Sequence, residues 1–131
     1  MMMTIVDILK EACQQVHEKT KGLAGTTGGS RQLGRGAGGD ISRGIDLIAE
    51  ETAIDAIRKQ GIEATIIAEE CGRIDGKEGY VIIDAIDGTT NAISGIPFYC
   101  CSVAYATDFY LSAVVDAAII DLARGDLYYA S

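Results

Sequence analysis

The chain has 131 residues, of which 48% are hydrophobic and 23% are charged, and its formal net charge is −8. This composition predicts one globular domain with its own core, while the negative charge argues against nucleic acid as the main partner. The apolar runs are far shorter than the roughly 20 residues of a membrane helix, and no secretory signal is visible. The four cysteines lack a metal-type spacing. These features predict a cytoplasmic protein with reduced thiols and no membrane partner.

The first predicted elements are a helix and a long glycine-rich segment. Apolar residues recur at three- and four-residue steps from Thr4 to about Lys21, which is typical of an amphipathic helix. In residues 22–44, nine of 23 are glycine, so a mobile loop is predicted there. This loop is either a linker or hairpin, or a lid over a metal and phosphate site. As a lid it would offer three arginines to offset phosphate charge, Arg31, Arg35 and Arg43.

A second helix is predicted from near Ile45 to Gln60, with Gly61 as its stop. Asp46 and Glu50 are four residues apart and are therefore neighbours on the helix surface. Acidic residues in a first turn usually interact with the helix dipole or with solvent, and the residues alone favour that interpretation. The alternative is that Asp46 faces inward towards a metal site. For Glu50 the sequence leaves the two interpretations open.

Strands account for most of the remaining chain. Ala64–Ala68 reads as a buried strand that ends at Glu69, and Tyr80–Ile83 as another that ends at Asp84, with a polar turn over residues 72–79 between them. After a short helical turn, three strands close enough to pair antiparallel are predicted at Tyr99–Ala106, Leu111–Ile120 and Leu127–Ala130. The predicted fold is an α/β (α+β) layered sandwich, with two helices packed on a mixed, largely antiparallel sheet.

The most informative segment is Asp84-Ala85-Ile86-Asp87-Gly88-Thr89-Thr90-Asn91, which follows the β-branched run at residues 81–83. Carboxylates at the tip of a buried strand can supply the oxygen ligands that Mg²⁺ prefers. The glycine-threonine turn offers backbone N–H groups that form an anion site if a helix begins there. A metal beside a phosphate is the combination needed for metal-assisted hydrolysis of a phosphate ester.

This octet is similar to the D-P-I-D-G-T-x-N signature of the inositol monophosphatase family, with Ala85 in place of the proline. Upstream, Ala68-Glu69-Glu70-Cys71 resembles the family's G-E-E-S segment, and residues 34–40 and 46–50 resemble its archaeal branch. That branch often acts on both fructose 1,6-bisphosphate and inositol phosphates. The resemblance therefore implies a Mg²⁺-dependent phosphate monoester hydrolase acting on one or both of these, and a sugar phosphatase fold.

The resemblance also implies roles for individual residues. Glu69, Asp84 and the Ile86 carbonyl would ligate a first Mg²⁺, and Asp84 and Asp87 a second, so a complete site would hold two or more. Thr89 and Asp46 would form a catalytic pair that orients and activates a water molecule. The backbone N–H groups of Gly88 and Thr89 would bind the phosphate of a small sugar or inositol substrate.

Family members are about twice as long, and their second signature, which supplies a further aspartate, has no counterpart here. The 131 residues are therefore expected to form a single domain that is the amino-terminal half of such an enzyme, incomplete alone. The partner would be a missing carboxyl-terminal half or another copy in a homo-oligomer. Two alternatives remain: a non-catalytic metal- and phosphate-binding subunit that needs a second chain, and a phosphatase acting on 3′-phosphoadenosine 5′-phosphate.

Overall fold

In the computed structural model, the described residues are 3–23, 32–35 and 41–131, with backbone alone at 32–35 and 41–43. Helix α1 spans Ile5–Thr20, within a residue of its predicted bounds. Its cap is Thr4, whose hydroxyl accepts the Asp7 backbone N–H at 3.3 Å. The buried stripe of α1 is apolar apart from Thr20 and consists of Ile8, Leu9, Ala12, Cys13, Val16 and Thr20.

Helix α2 spans Gly44–Lys59 and packs against α1. Gly61, just beyond its end, has φ +83°, a left-handed conformation that glycine adopts without strain. In the sequence between the two helices are strands β1 (Gln32–Arg35) and β2 (Ile41–Arg43), which pair antiparallel. Of the predicted loop over residues 22–44, residues 24–31 and 36–40 lie outside the described residues. Arg31 and the side chains of Arg35 and Arg43 lie outside them too.

Six further strands form one sheet in the order β4-β3-β5-β6-β7-β8. Their bounds are β3 Thr65–Ala68, β4 Gly72–Ile74, β5 Tyr80–Asp87, β6 Cys100–Ala106, β7 Val114–Asp121 and β8 Leu127–Ala130. Only the β3–β5 pair is parallel, and every other neighbouring pair is antiparallel. This arrangement confirms the prediction of two long helices on a mixed, largely antiparallel sheet. A short helix α3 (Thr89–Ser94) follows β5, where a helical turn was expected.

Three details of the strand prediction are wrong. The segment predicted as a polar turn contains β4, an exposed edge strand without the apolar alternation that marks a half-buried strand. Strand β5 continues past Asp84 to Asp87, because a register shift at Ala85 and Ile86 lets pairing with β6 resume. Residues 111–113 form a 3₁₀ turn, so β7 begins at Val114.

The core lies between the helices and one face of the sheet. Alternate residues of the central strands point to this face, and both helices cover them. The residues of β5 and β6 that do so are Val81, Ile83, Ala85, Cys101 and Val103, and they are almost completely buried.

The opposite face of the sheet, called the open face below, has no helix over it among the described residues. One row across the strands is apolar and consists of Ile67, Ile82, Ala104, Ala117 and Ala130. The next row is Asp84, Ser102, Ile119 and Tyr128. Ile82 is 38% exposed and Ile119 is 45% exposed, which is high for isoleucine in the middle of a sheet. A groove of about 390 Å³ runs along this face beside Ile82, Phe109 and Leu111.

Among the described helices, none is both long and apolar enough to cross a lipid bilayer.

Candidate active site

Two carboxylates meet at one edge of the sheet because β3 and β5 run parallel. In that register Ala68 lies opposite Ile83, so the next residues, Glu69 and Asp84, follow side by side. Asp84 points to the open face, since Val81 and Ile83 alternate with it towards the core. The sequence predicted two strands that each end in a carboxylate, and because they are neighbours in the sheet the two carboxylates follow each other at one end of it.

The register shift at Ala85 and Ile86 carries the third carboxylate to the same edge. Pairing is regular up to Asp84 and resumes at Asp87, which lies opposite Cys100. The Ile86 side chain is buried, whereas Asp87 is exposed. A bulge of this kind redirects the side chains that follow it, so two aspartates three residues apart reach one site.

The other two carboxylates repel that of Asp84. The pKa of Asp84 is raised, first by burial and then by the negative charges of Asp87 and Glu69. The ion pairs within the described part of the chain lie elsewhere, on the helices and surface turns. Several carboxylates that lie together without a basic partner favour binding of a cation. Carboxylate oxygens and a backbone carbonyl oxygen are the ligands that Mg²⁺ prefers.

The side chains are not drawn together into a closed metal cage. Within residues 3–23, 32–35 and 41–131, no three His, Cys, Asp or Glu side chains are arranged as a ready metal-binding group. Mg²⁺ is usually held by one or two carboxylates and keeps several waters, so a looser set of acidic groups is sufficient for it. By donor chemistry and charge, the residues Glu69, Asp84, Ile86 and Asp87 fit this ion.

Asp46 and Thr89 are brought together although 43 positions separate them. The Thr89 hydroxyl donates to the Asp46 carboxylate at 3.0 Å and also lies 3.3 Å from the Ile86 carbonyl oxygen. While its proton points to Asp46, the hydroxyl oxygen keeps lone pairs that can accept a hydrogen bond from water. A water held there would lie beside the carboxylates of β5.

Gly88 forms the turn between β5 and α3, and the structure gives a reason for glycine that the sequence did not supply. Its φ is +99°, and an added Cβ would lie 2.7 Å from the Phe98 carbonyl oxygen. The chain itself therefore excludes a side chain at this position, whether or not a ligand binds there. The same carbonyl accepts the Asn91 side-chain N–H at 2.9 Å, which fastens the end of α3 to the following loop.

A cleft of about 410 Å³ adjoins this turn on the side of the open face. Asp87, Gly88 and Asp121 line it together with Tyr99 and Tyr128. Its lining is mixed polar and apolar, and it lies within reach of the backbone of Gly88. A cleft of this size and lining could hold a small organic molecule.

The cysteines near this edge are poor candidates for a nucleophile. The pKa of the Cys100 thiol is raised by burial and then by the charges of Asp87 and Asp84. The pKa of Cys71 is raised by burial and then by Glu50. Because the thiolate is the reactive form, both side chains are held in their unreactive state at neutral pH.

Glu50 is the functional candidate that the sequence left undecided. It is only 5% exposed, and its two carboxylate oxygens accept the backbone N–H groups of Glu70 at 2.9 Å and Cys71 at 2.8 Å. The partners are 20 and 21 residues away. No local pattern signals such a contact; the four-residue spacing from Asp46 was the only available hint.

Comparison with known proteins gives a consistent family assignment. The model of the inositol monophosphatase family matches residues 2–131. The fructose-1,6-bisphosphatase/inositol-1-monophosphatase of Methanothermobacter thermautotrophicus is 36% identical over 129 residues, covering 89% of this chain and 46% of that protein. The bifunctional NADP phosphatase/NAD kinase of Methanococcus maripaludis is 31% identical over 145 residues, covering 98% of this chain and 25% of that protein.

The fold is shared with solved structures. The crystal structure of the MJ0109 gene product, an inositol monophosphatase–fructose 1,6-bisphosphatase, superposes with a TM-score of 0.83 at 25% identity. The superposition covers 98% of this chain and 49% of that one. The chain thus spans about half the length, or less, of these relatives.

Proposed function

Because the chain belongs to the inositol monophosphatase family, we propose that it carries part of the active site of a Mg²⁺-dependent phosphate monoester hydrolase. The observation that carries the proposal is the 3.0 Å hydrogen bond from Thr89 to Asp46 beside the converging carboxylates. This hydrogen bond connects the Thr89 hydroxyl, which can hold a water molecule, with the Asp46 carboxylate, which can act as a base. Both lie next to side chains suited to a divalent cation. This combination supports hydrolysis by water without a covalent intermediate.

Glu69, Asp84, Asp87 and the Ile86 carbonyl would hold Mg²⁺, with two or more ions in a complete site. Bound Mg²⁺ would neutralise charge on the phosphate and make water more acidic. Thr89 would accept a hydrogen bond from the attacking water and pass the proton towards Asp46. The backbone N–H groups of Gly88 and Thr89 would bind phosphate oxygens. A bond would form between the water oxygen and phosphorus while the bond from phosphorus to the leaving oxygen breaks. The leaving oxygen would take up a proton from solvent, so that the products are an alcohol and inorganic phosphate.

The proposed substrates are fructose 1,6-bisphosphate and inositol 1-phosphate. The relative from Methanothermobacter thermautotrophicus is named for both activities. The cleft beside Asp87 and Gly88, of about 410 Å³, has room for a small sugar or a cyclitol.

A nucleotide substrate is the second candidate. The relative from Methanococcus maripaludis is named as an NADP phosphatase. NADP and 3′-phosphoadenosine 5′-phosphate both carry a phosphate monoester on the ribose of an adenosine. Preference for these compounds over the sugar phosphates would favour this candidate.

The open face supports a further part of the proposal, that another polypeptide segment completes the site. On this face, Ile119 lies in the same row as Asp84 and Ser102, and Ile82 lies in the neighbouring row. A segment that covers these apolar side chains would also lie against the metal-binding edge. We assign this position to a segment corresponding to the half of the relatives that the chain does not span. Without it the chain would be a metal- and phosphate-binding module with little turnover.

The test is phosphate release from fructose 1,6-bisphosphate, inositol 1-phosphate, NADP and 3′-phosphoadenosine 5′-phosphate, with Mg²⁺ or with chelator. Asp84→Asn is the inactive comparison, and Asp55→Asn, at an exposed position on α2, is the control. Chelator-sensitive release that Asp84→Asn abolishes supports hydrolysis by the chain. If release is absent, the assay is repeated with the corresponding carboxyl-terminal half of a relative added in trans. No release and no Mg²⁺ binding in either form would contradict the proposal.

A further inference from the structure

Glu50 is the one charged side chain that is buried among the described residues. Removing a carboxylate from water is costly unless its oxygens receive hydrogen bonds. Each oxygen accepts one backbone N–H, that of Glu70 at 2.9 Å on Oε1 and that of Cys71 at 2.8 Å on Oε2. Hydrogen bonds to a charged acceptor are about twice as strong as neutral ones, so this pair holds the turn firmly.

The two N–H groups belong to the turn that follows β3, immediately after Glu69. The Glu70 nitrogen is part of the peptide group that links Glu69 to Glu70. A hydrogen bond to this nitrogen fixes the plane of that peptide group and hence the backbone on the carboxyl side of Glu69. The Glu69 side chain itself is exposed, so its backbone rather than side-chain packing sets the direction in which it leaves the strand.

The same helix turn holds the other side of the site. Asp46 and Glu50 are one turn apart on α2. Asp46 accepts from Thr89, which follows β5, while Glu50 accepts from the turn that follows β3. Helix α2 therefore fixes the tips of both parallel strands relative to each other.

A neutral acceptor could stabilise the turn, but Glu50 brings a negative charge as well. Glu69 and Glu70 are already nearby, and the described ion pairs place no lysine or arginine with them. Its negative charge lies behind the acidic residues of the turn and therefore favours a cation bound in front of them. The hydrogen bonds to the turn and the added charge together connect Glu50 with the metal-binding edge.

We propose that Glu50 is a positioning residue for the metal site, which orients Glu69 through the Glu70 and Cys71 N–H groups and adds negative charge behind it. This inference depends on the metal site in the proposed function. Glu50 does not contact the ion, and its effect passes through the turn after β3.

The experiment is Mn²⁺ binding to the chain, measured from the free Mn²⁺ signal in electron paramagnetic resonance. Glu50→Gln keeps the size of the side chain, but its amide nitrogen cannot accept the second N–H. We expect it to weaken Mn²⁺ binding about tenfold, as removal of an outer partner of a metal ligand typically does. Glu51→Gln is the matched control, because Glu51 is the next residue of α2 and is exposed. It should change binding less than about twofold.

A second readout separates positioning from general stability. In ¹⁵N–¹H correlation spectra, the Glu70 and Cys71 amide signals should move in Glu50→Gln, while signals from α1 and β7 stay in place. Equal Mn²⁺ affinity in Glu50→Gln and the parent chain would overturn the inference, as would an equal loss in Glu51→Gln. A parent chain that binds no Mn²⁺ would overturn the proposed metal site and this inference with it.

If Glu50→Gln does not fold, Glu50→Asp replaces it. This variant keeps the charge but shortens the side chain by one methylene, so it cannot reach both N–H groups. We expect Mn²⁺ affinity to fall severalfold. An affinity equal to that of the parent chain would show that charge alone matters and would overturn the positioning role.

Discussion

Asp84 destabilises the metal-free chain for the same reason that it suits a cation. Its carboxylate is partly buried and lies near Asp87 and Glu69, and these effects raise its pKa. The folded chain therefore holds the Asp84 proton more tightly than the unfolded chain. The resulting penalty is absent below the ordinary carboxyl pKa and appears as the pH rises through the raised value. The proposed role of Asp84 as a metal ligand therefore comes with a cost in stability.

Asp84→Asn should therefore stabilise the chain in the presence of chelator. At pH 7 we expect the free energy of unfolding to rise by less than about 1 kcal/mol, because water still screens the carboxylate. The gain should shrink as the pH falls towards about 3.9, the ordinary pKa of an aspartate. Urea titrations at several pH values measure both effects. Asp55→Asn is the control, and a variant no more stable than the parent at pH 7 would contradict the prediction.

With Mg²⁺ present, the parent chain should be more stable than Asp84→Asn, the reverse of the order expected with chelator. Binding to the folded state alone stabilises by mass action, by about 2.7 kcal/mol at a concentration 100 times the Kd. The parent chain should gain thermal stability as Mg²⁺ is added and lose it again with chelator, whereas Asp84→Asn should gain little. Thermal unfolding followed by circular dichroism at increasing Mg²⁺ measures the difference. Equal gains in the two proteins would place the ion elsewhere.

Gly88 is required by the backbone conformation rather than by charge. Its φ of +99° is unfavourable for a residue with a side chain, and a Cβ would lie only 2.7 Å from the Phe98 carbonyl oxygen. Gly88→Ala should lower the free energy of unfolding by roughly 1–3 kcal/mol. In contrast, a Cβ at Gly22 would meet nothing within 4 Å, so Gly22→Ala should be close to neutral. Denaturant unfolding compares the two variants; similar effects at both positions would be inconsistent with this geometry.

At the scale of elements, β3 is held at both ends by contacts outside the sheet. Its last residue leads into the turn fixed by Glu50, and its first, Thr65, accepts the Gly76 N–H at 3.0 Å. Gly76 also lies directly against the Ala64 backbone, where no side chain would fit. These contacts fasten the connection from β4 to β5 across the end of β3. They thereby help set the parallel register that aligns Glu69 with Asp84.

Thr65→Val should weaken this connection. Valine keeps the shape of threonine but removes the acceptor of the Gly76 N–H, so we expect a loss of about 1 kcal/mol in the free energy of unfolding. Thr52→Val provides the same chemical change inside α2, where the hydroxyl only donates to the Ile48 carbonyl one turn earlier. The control should be nearly neutral. Urea titration compares the two, and a Thr65→Val variant as stable as the control would be evidence against the role of this contact.

The sequence predicted these elements well where their signals are local. The 3.6-residue period of α1, the β-branched run before Asp84 and the short antiparallel strands near the end all match the structure within a few residues. The edge strand β4 was missed because an exposed edge needs no apolar alternation. The bulge at Ala85 and Ile86 and the partners of Glu50 were missed because pairing register and contacts 20 residues apart are tertiary properties.

At the scale of the whole molecule, the open face presents exposed apolar side chains that no other described element covers. Its exposed isoleucines, Ile82 and Ile119, lie between strands whose other side is fully packed. Apolar surface of this kind usually marks an interaction site. The chain spans about half the length of the MJ0109 gene product that it superposes on. One polypeptide segment would thus both cover the open face and supply the second part of the proposed active site.

Without such a segment, the open face should cause the chain to self-associate. Ile82→Glu should reduce concentration-dependent association, because a charge in the middle of the face resists burial. Ile74→Glu is the control, since Ile74 is similarly exposed at 40% but lies on the edge strand β4. Sedimentation velocity over a range of concentrations measures the difference. Association that persists unchanged in Ile82→Glu, or that Ile74→Glu reduces as much, would assign it to another surface.

The packing of α1 on β7 also has a consequence for how the protein is made. Helix α1 leaves the ribosome before strand Val114–Asp121, against which it packs and which is translated about a hundred residues later. At about 5–20 residues per second, α1 can pack against α2 early but lacks β7 for at least several seconds. During that interval part of the apolar stripe of α1 stays exposed to solvent. A chain truncated before β7 would leave α1 with α2 but without the strand that completes its packing.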